Sequence, residues 1–408
     1  MAVTTTTQMN ANVVAAYDKA YLNNFQKSQC FWELINWHTP VGADLKGLTV
    51  NQPVIEKLAL ATSTLTEGTD VTPVQLVDNN LSITVAEYGN AIESTSLLHL
   101  ASFTPAMKQI ADALGQNQAN SMDYIVREVA VAGTFIIYAG TATSRLTVDA
   151  TGDPMSYAFL ADLYALADGL GIPQFEDGSY ATIVHPSVYA DIQELTEYKA
   201  VGEYSDPTLL YTGKKGLPPG GRFKREKGMI ANIRIIVHPY GKLFLGGGEP
   251  AQAATDIDGA AAAGDTDIDV TDATGITVGN YITVGDKTSL THEQVLVTAV
   301  STNNLTIRGI GNAIGNFGLK YAHADTEAVV EAPNVGTVPI FGPQSIQARH
   351  ATDPGKMGRA SVDWKNTAIP KRNMYHSWYY VGGFGLIDKF AVRGEFGVSR
   401  YTYGDNQG

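Results

Sequence analysis

The chain has 408 residues, of which 44% are hydrophobic, and a formal net charge of −13 at pH 7. This is enough for two or three domains with hydrophobic cores, and the lack of about 18 consecutive apolar residues excludes a predicted membrane-spanning helix. The acidic balance argues against tight binding to nucleic acid over a broad surface, because phosphate contacts need Lys and Arg.

Residues 1–48 predict an N-terminal arm with a polar, Thr-rich start that lacks the features of a signal peptide. A helical pattern follows and ends in an aromatic segment, in which Phe31 and Trp32 must be buried on the chain itself or on a neighbouring molecule. The single cysteine, Cys30, excludes an intrachain disulfide, fits a reducing cytosol and is predicted to be a buried small apolar residue.

Residues 49–96 predict an extended β-hairpin, because segments 49–62 and 81–96 both alternate apolar and polar side chains. An isolated two-stranded arm is marginal in water, so we expect it to need a partner surface. Gly68 is expected to adopt a backbone conformation that a residue with a Cβ resists. The turn-rich tip supplies the candidate contact residues with another molecule, namely Leu65, Thr66, Glu67 and Gly68.

Residues 97–145 predict an unusually long helix. Thr104 is the expected N-cap and Pro105 the first helical residue, and no proline follows before Gly133. Such a helix of about 28 residues would be roughly 42 Å long. Its predicted apolar face consists of Met107, Ile110, Leu114, Met122, Ile125 and Val129.

Residues 146–250 predict a compact α/β unit. Its expected elements are a helix carrying Leu160, Leu163, Leu166 and Leu170, a strand Ala181–Val184, a helix near 187–198 and a strand Ile230–Val237.

A basic, Gly/Pro-rich loop lies inside this unit, with Glu226 as its only acid. Pairing with an acidic neighbouring subunit is the favoured interpretation, because Arg suits bidentate contacts that set register. A merely solvated loop and a contact with DNA are the alternatives. Its cations are Lys214, Lys215, Arg222, Lys224, Arg225 and Lys227.

Residues 251–331 predict a small all-β module, because short alternating strands are separated by glycines and Asn303-Asn304. The module has eleven acidic and three basic residues, so about −8 of the −13 charge lies here. Residues 332–408 return to the preceding fold, with strand patterns at Val338–Ala348 and Tyr375–Val381.

Motifs for catalysis, cofactors or metals are weak throughout the chain. The spacing Asp265-x-Asp267-x-Asp269 begins like a calcium loop, but Val270 replaces the turn glycine and Ile276 stands where a bidentate Glu is needed. We expect the three carboxylates to share one solvated strand face. His185-Pro186 is interpreted as a turn at a strand end, and no P-loop or nucleophile elbow is present. We therefore predict no catalytic residue, no cofactor and no metal.

The order of several short motifs resembles the major capsid proteins of tailed bacteriophages, the Hong Kong 97-type family, and within it the coliphage N-four-like subgroup. The resemblance covers most of the chain outside residues 251–331. It rests on Leu65-Thr66-Glu67-Gly68, Tyr88-Gly89, the long helix with Met122-Asp123, Tyr180 to Pro186, and Gly228 to Val237.

This resemblance implies an α+β fold with an N-terminal arm (1–48), an extended hairpin loop (49–96), a peripheral domain with a spine helix (97–145) and an axial domain (146–250). Residues 251–331 would be an inserted β domain, and residues 332–408 would return to the axial and peripheral domains.

The implied function is a non-enzymatic subunit that self-assembles into the icosahedral shell of a virion around double-stranded DNA. Assembly would take place in the host bacterial cytoplasm, away from membranes, with scaffold, portal and decoration proteins as further possible partners. The alternatives are a β-rich receptor- or glycan-binding phage protein, with residues 251–331 as the binding module, and an undetected hydrolase.

Overall fold

A computed structural model describes most of the chain, with gaps. The described residues are 30–37, 49–55, 58, 60–62, 64, 68, 70, 74–76, 78–95, 106–149, 151–196, 199–200, 225–249, 254–287, 289–313, 315–350, 357–364, 373–398 and 404–405.

The described residues form few helices and many strands, as expected for an α+β fold. The α-helices are α1 (Ala106–Ala130), α2 (Tyr157–Gly169) and α3 (Pro186–Gln193), with 3₁₀ turns at Phe31–Leu34, Arg145–Thr147 and Asp388–Phe390. The strands are β1 (Ile35–Trp37), β2 (Thr49–Ile55), β3 (Asp78–Thr84), β4 (Ala86–Thr95), β5 (Ile136–Tyr138), β6 (Tyr180–Val184), β7 (Lys199–Ala200), β8 (Glu226–Ile230), β9 (Ile233–Val237), β10 (Leu243–Phe244), β11 (Thr255–Asp256), β12 (Asp267–Asp269), β13 (Tyr281–Val284), β14 (Glu293–Ser301), β15 (Asn304–Arg308), β16 (Ala328–Val330), β17 (Val335–Phe341), β18 (Ile346–His350), β19 (Met357–Trp364), β20 (Asn373–Leu386), β21 (Ala391–Gly397) and β22 (Gly404–Asp405).

The chain divides into two compact units, and the boundary falls inside α1, between Met122 and Asp123. The first unit comprises Met1–Gln29, Ile35–Met122 and Ile346–Ile387, and the second comprises Cys30–Leu34, Asp123–Ser345 and Asp388–Gly408.

The first unit contains the β2–β3 ladder and a five-stranded sheet. In that sheet the order is β1-β18-β20-β19, and β4 also pairs with β20. Glycines of β20 make room for β3, because a Cβ on Gly383 would lie 2.2 Å from the Thr84 carbonyl oxygen. Ile83 of β3 is therefore buried, at 1% exposure.

The second unit contains an eight-stranded sheet, in the order β5-β21-β17-β6-β9-β8-β7, with β10 paired to β17. All five residues of β6 are buried. Helix α2 packs on β21 and β17, where a Cβ on Gly394 would lie only 2.5 Å from Leu163 Cδ1. Ser156 caps this helix by accepting a hydrogen bond from the Phe159 N–H.

A seven-stranded sheet in the second unit has the order β11-β16-β13-β14-β15-β12. The predicted strands of residues 251–331 are confirmed, and they enclose a hydrophobic cluster of their own that includes Ile268, Val284 and Leu305. Asp265, Asp267 and Asp269 are exposed and Ile268 and Val270 buried, as the strand period predicts. The sheet also recruits β22 from the C-terminus, which sequence periodicity did not indicate.

Three predicted strands are each divided in two. Segment 81–96 breaks at Val85 into β3 and β4, and Val338–Ala348 breaks between β17 and β18. Ile230–Val237 contains the turn between β8 and β9, because Ala231 and Asn232 have φ of 47° and 58°. Two consecutive left-handed residues form the type I′ turn that reverses paired strands.

Helix α1 has 25 residues, or about 37 Å, and ends at Ala130 rather than Gly133. The predicted cap, Thr104-Pro105, lies outside the described residues. Leu114 and Met122 are buried as predicted, and so is Val126, whereas Ile110, Ile125 and Val129 are only half-buried. Small and polar residues fill the rest of the buried stripe: Ala111, Gly115, Gln118, Ala119, Asp123, Arg127 and Ala130. None of the helices in the described ranges is long and apolar enough to cross a membrane.

Candidate assembly surfaces

The hairpin arm is built from β2 and β3, which pair antiparallel from Thr49↔Thr84 to Ile55↔Asp78. Of the predicted tip residues, Leu65, Thr66 and Glu67 lie outside the described residues. Gly68 has φ of +81°, so its predicted special backbone conformation is confirmed.

Large apolar side chains stand exposed on both sides of this tip. Leu60 is 89% exposed and Val74 68% exposed, and Leu58 and Leu76 are also more than half exposed. Exposed apolar side chains of this size are candidates for burial against another molecule.

Strand β4 leaves the hairpin and pairs along its whole length with β20, from Ala86↔Gly382 to Thr95↔Asn373. Gly89 allows this approach, since a Cβ there would lie 2.8 Å from the Trp378 carbonyl oxygen. The indole Nε1–H of Trp378 then donates to Asn117 Oδ1 of α1 at 2.9 Å. Within the first unit, the base of the arm is thus tied to the long helix.

Phe31 and Trp32 are contact candidates from the sequence, which left burial on the chain itself or on a neighbouring molecule open. Phe31 is only 1% exposed and is buried on the chain's own body. The Trp32 side chain lies outside the described residues. Cys30 is buried as predicted, and its N–H donates to Asp123 Oδ2 at 2.8 Å.

The basic loop is described only at its end, since Lys214, Lys215, Arg222 and Lys224 lie outside the described residues. Arg225 is exposed at φ of 61°. Lys227 is exposed but lies in β8 rather than in a loop.

Glu226, the acid beside these cations, is 8% exposed. Arg234 Nη1 donates to its Oε1 at 2.5 Å, and Arg234 also pairs with Asp177. Glu226 is therefore engaged with a strand residue, because Arg234 lies in β9.

A cationic cleft of about 440 Å³ lies in the second unit, beside the last turns of α1. Lys242 Nζ and Arg127 Nη2 each lie 2.9 Å from Glu128 Oε1. Arg145 clasps Glu395 through two nitrogens, at 2.6 and 2.9 Å. No sequence motif indicated this site, because its members come from separate segments that only the tertiary fold brings together.

His185, at the end of β6, has the structural role predicted for it. Its Nδ1 accepts a hydrogen bond from the Ser187 N–H and caps α3, with Pro186 at the first helical position. Burial, and then the charge of Arg127, lowers its pKa to about 4, so the ring is neutral at physiological pH. Among the described residues, no group of three or more His, Cys, Asp or Glu is placed to hold a metal ion.

Comparisons with known proteins identify the fold. No family model matches the chain. No curated protein matches it either. The capsid of Ralstonia phage GP4 matches with a TM-score of 0.57 and 12% identity, over 92% of this chain and 93% of that chain. The head of Helicobacter pylori bacteriophage KHP40 gives a TM-score of 0.48 and 10% identity, over 89% and 87% of the two chains. The capsid of cyanophage Pam1 gives a TM-score of 0.47 and 12% identity, over 90% of this chain and 89% of that chain. The match to the Ralstonia phage GP4 capsid, with its TM-score above 0.5, shows that this chain has the fold of that capsid protein, the Hong Kong 97-type fold.

Proposed function

We propose that this chain is the major capsid protein of a tailed bacteriophage, a structural subunit without a catalytic step. Many copies would tile an icosahedral shell that encloses double-stranded DNA. The observation that carries this proposal is the end-to-end fold match, which spans 92% of this chain and 93% of a phage capsid subunit.

The hairpin arm would lie over an adjacent subunit, where the exposed leucines and valines flanking its tip become buried. Burying one fully exposed side chain of this kind is worth about 1.5–3 kcal/mol. These four are between about half and nine-tenths exposed, so together they would supply roughly 4–8 kcal/mol before the costs of ordering are subtracted. Each subunit would make several such contacts, and closed symmetry multiplies them.

For the domains we propose the boundaries predicted from sequence. Residues 1–48 would lace across a second contact, and residues 97–145 and 146–250 would form the peripheral domain with its spine helix and the axial domain. Strand β11 pairs with β16, which brings the ends of the 251–331 segment together. That closeness supports its interpretation as an insertion returning the chain to the capsid fold at residue 332.

The charge distribution fits enclosure of DNA rather than attachment to it. A net charge of −13 leaves the duplex free to slide, and an acidic module on the outer face would keep particles soluble. The basic loop would pair with acidic groups of a neighbouring copy, and Arg225 and Lys227 are exposed as that role requires. Scaffold, portal and decoration proteins are further partners of the proposed virion subunit, which would assemble in the host cytoplasm.

The test is the mass of the expressed protein. We expect multi-megadalton particles in sedimentation, and closed shells in negative-stain images. A monomer or small oligomer that remains soluble at high concentration would contradict a self-assembling subunit and favour the receptor- or glycan-binding alternative.

The hairpin contributes a second test. Gly68→Val adds a Cβ to a residue with φ of +81°, a backbone conformation that residues with a Cβ rarely adopt. The added Cβ would meet no other atom within 4 Å, so the change should disturb the tip while leaving the subunit's core intact. We expect particle yield to fall while the melting temperature of the subunit barely changes. Equal losses of yield and melting temperature would indicate an intramolecular role for the tip.

A further inference from the structure

The cationic cleft beside α1 lies wholly in the second unit, and its walls differ in chemistry. Glu128, Arg145, Lys242 and Lys287 supply charge, while Phe244 and Leu146 supply apolar surface. Leu146 is 64% exposed at this cleft. Exposed apolar surface beside desolvated charge is typical of a binding site rather than of a packing defect.

Positive charge is crowded behind these walls. Glu128 Oε1 is shared by Lys242 and Arg127, each at 2.9 Å, and Glu395 is shared by Arg145 at 2.6 Å and Arg393 at 2.9 Å. Each of the two carboxylates is thus contacted by two cations. Burial, together with the nearby charges of Arg127 and Arg145, lowers the pKa of Lys242, although its bond to Glu128 acts in the opposite direction.

The aromatic ring of Phe244 holds the two cations that line the cleft in place. The Arg145 guanidinium carbon lies 3.4 Å from the ring centroid and Lys242 Nζ lies 5.2 Å from it. Cations fixed over a ring and partly withdrawn from water attract an incoming carboxylate more strongly than mobile surface cations do.

A complementary segment exists on this same chain. Between β2 and β3, residues 56–77 contain three acidic residues and one lysine, a net charge of −2. Their described apolar side chains Leu58, Leu60, Val74 and Leu76 are all more than half exposed. Acidic and apolar groups on the hairpin tip match cationic and apolar groups in the cleft.

We propose that the cleft binds the hairpin tip of a second copy of this chain, with a tip carboxylate held between Arg145 and Lys242 and a tip leucine or valine against Leu146. This inference rests on the proposed function, which places the hairpin on a neighbouring subunit. A hydrated phosphate backbone would leave the apolar rim unused, so a protein segment fits the cleft better than DNA does.

Combined substitutions in the cleft and the tip test the contact. Leu146 is 64% exposed, so Leu146→Asp adds a carboxylate at the rim with little loss of internal packing, and we expect it to lower particle yield by at least about tenfold. Val278→Asp is the matched control, since Val278 is 55% exposed and does not line the cleft, and its yield should stay within about twofold. Glu67→Lys combined with Asp70→Lys should also lower the yield, because it removes the carboxylate proposed to lie between Arg145 and Lys242. Adding Leu146→Asp to these two tip changes should cost little more, because all three changes then disrupt one contact.

A crosslink gives an independent readout. Leu146→Cys combined with Glu67→Cys should yield disulfide-linked multimers in assembled particles on non-reducing gels. The pair Val278→Cys and Glu67→Cys should yield none, and the native Cys30 is buried and should not interfere.

The outcomes separate this inference from the proposed function. If the wild-type chain forms no shells, the proposed function is wrong. If wild-type shells form and Leu146→Asp assembles as well as wild type, or if its loss of yield simply multiplies with that of the tip changes, only the cleft assignment is wrong. If Leu146→Asp forms normal empty shells that fail to retain DNA, the cleft assignment is also overturned, because that result would place DNA in the cleft.

Discussion

Replacing His323 tests whether a buried ion triad stabilises the β module. The His323 side chain has no exposed surface, and its Nε2 lies 3.0 Å from Glu293 Oε1 and its Nδ1 lies 2.8 Å from Glu327 Oε2. A carboxylate only accepts hydrogen bonds, so both contacts are made when the ring donates from both nitrogens, which is its protonated, positively charged form. His323→Leu removes that charge and leaves Glu293, itself 1% exposed, without its cation.

The magnitude follows from what Glu293 retains. Removing one partner of a buried ion pair costs about 3–5 kcal/mol. Glu293 keeps hydrogen bonds from the backbone N–H groups of Lys320 and Tyr321, at 2.9 and 3.0 Å, so we expect the lower end of that range. About 3 kcal/mol corresponds to roughly 100-fold in an equilibrium constant.

Hydrogen exchange of the full-length subunit measures this locally. Amides of β13, β14 and β15 should lose about 100-fold in protection in His323→Leu, with little change in the eight-stranded sheet. Glu327→Gln is the matched control, because the Glu327 side chain is 30% exposed, and its cost should be below about 1 kcal/mol.

The same triad predicts a pH dependence. Burial alone would lower the pKa of His323, but its hydrogen bonds and ion pairs with Glu293 and Glu327 outweigh burial and raise that pKa above its ordinary value of 6.5. The stabilisation is therefore complete below about pH 6.5 and is lost as pH rises through the raised pKa. Module protection, corrected for intrinsic exchange, should fall with rising pH in the wild type and not in His323→Leu. Identical pH profiles, or a loss of protection under about threefold in the variant, would refute the role of the charged ring.

Three further outcomes are expected. Ala231→Gly should raise the free energy of unfolding by about 0.5–1 kcal/mol, because φ of 47° penalises a Cβ, and Ala231→Val should lower it. Thermal unfolding measures both changes, and no gain from glycine would contradict the turn argument. Replacing about 253–330 with a short Gly/Ser linker should leave shells visible by electron microscopy, whereas folded subunits that no longer assemble would make the module an assembly element. Charge reversal at Arg222 and Arg225 should block assembly even when no DNA is present, and normal empty shells from the variant would contradict intersubunit pairing. Wild-type particles should loosen in high salt, because salt screens exposed ion pairs.

The sequence by itself determined the local elements and much of the β module. Alternation placed Ile83 and Val85 on a buried face, and it placed Ile268 and Val270 inward with the neighbouring Asp side chains in water. These predictions succeed because a strand's inward and outward faces depend only on a two-residue period within the strand. The positive φ of Gly68 could also be predicted from local sequence, because a turn-rich segment indicates where such a backbone conformation is needed.

Only the tertiary structure decided which strands pair and which polar groups are buried. Strand β4 pairs with β20, 282 residues away at the Ser94–His376 hydrogen bond, and no local period identifies that partner. On α1, small and polar residues such as Ala119 and Asp123 are buried, while the larger Ile125 is only half-buried. A helix presents its most closely packed face to whatever surface the fold supplies, and small residues permit the shortest approach. The cationic cleft likewise exists only after distant segments meet, because a charge is made strong or weak by neighbours that lie far from it in sequence.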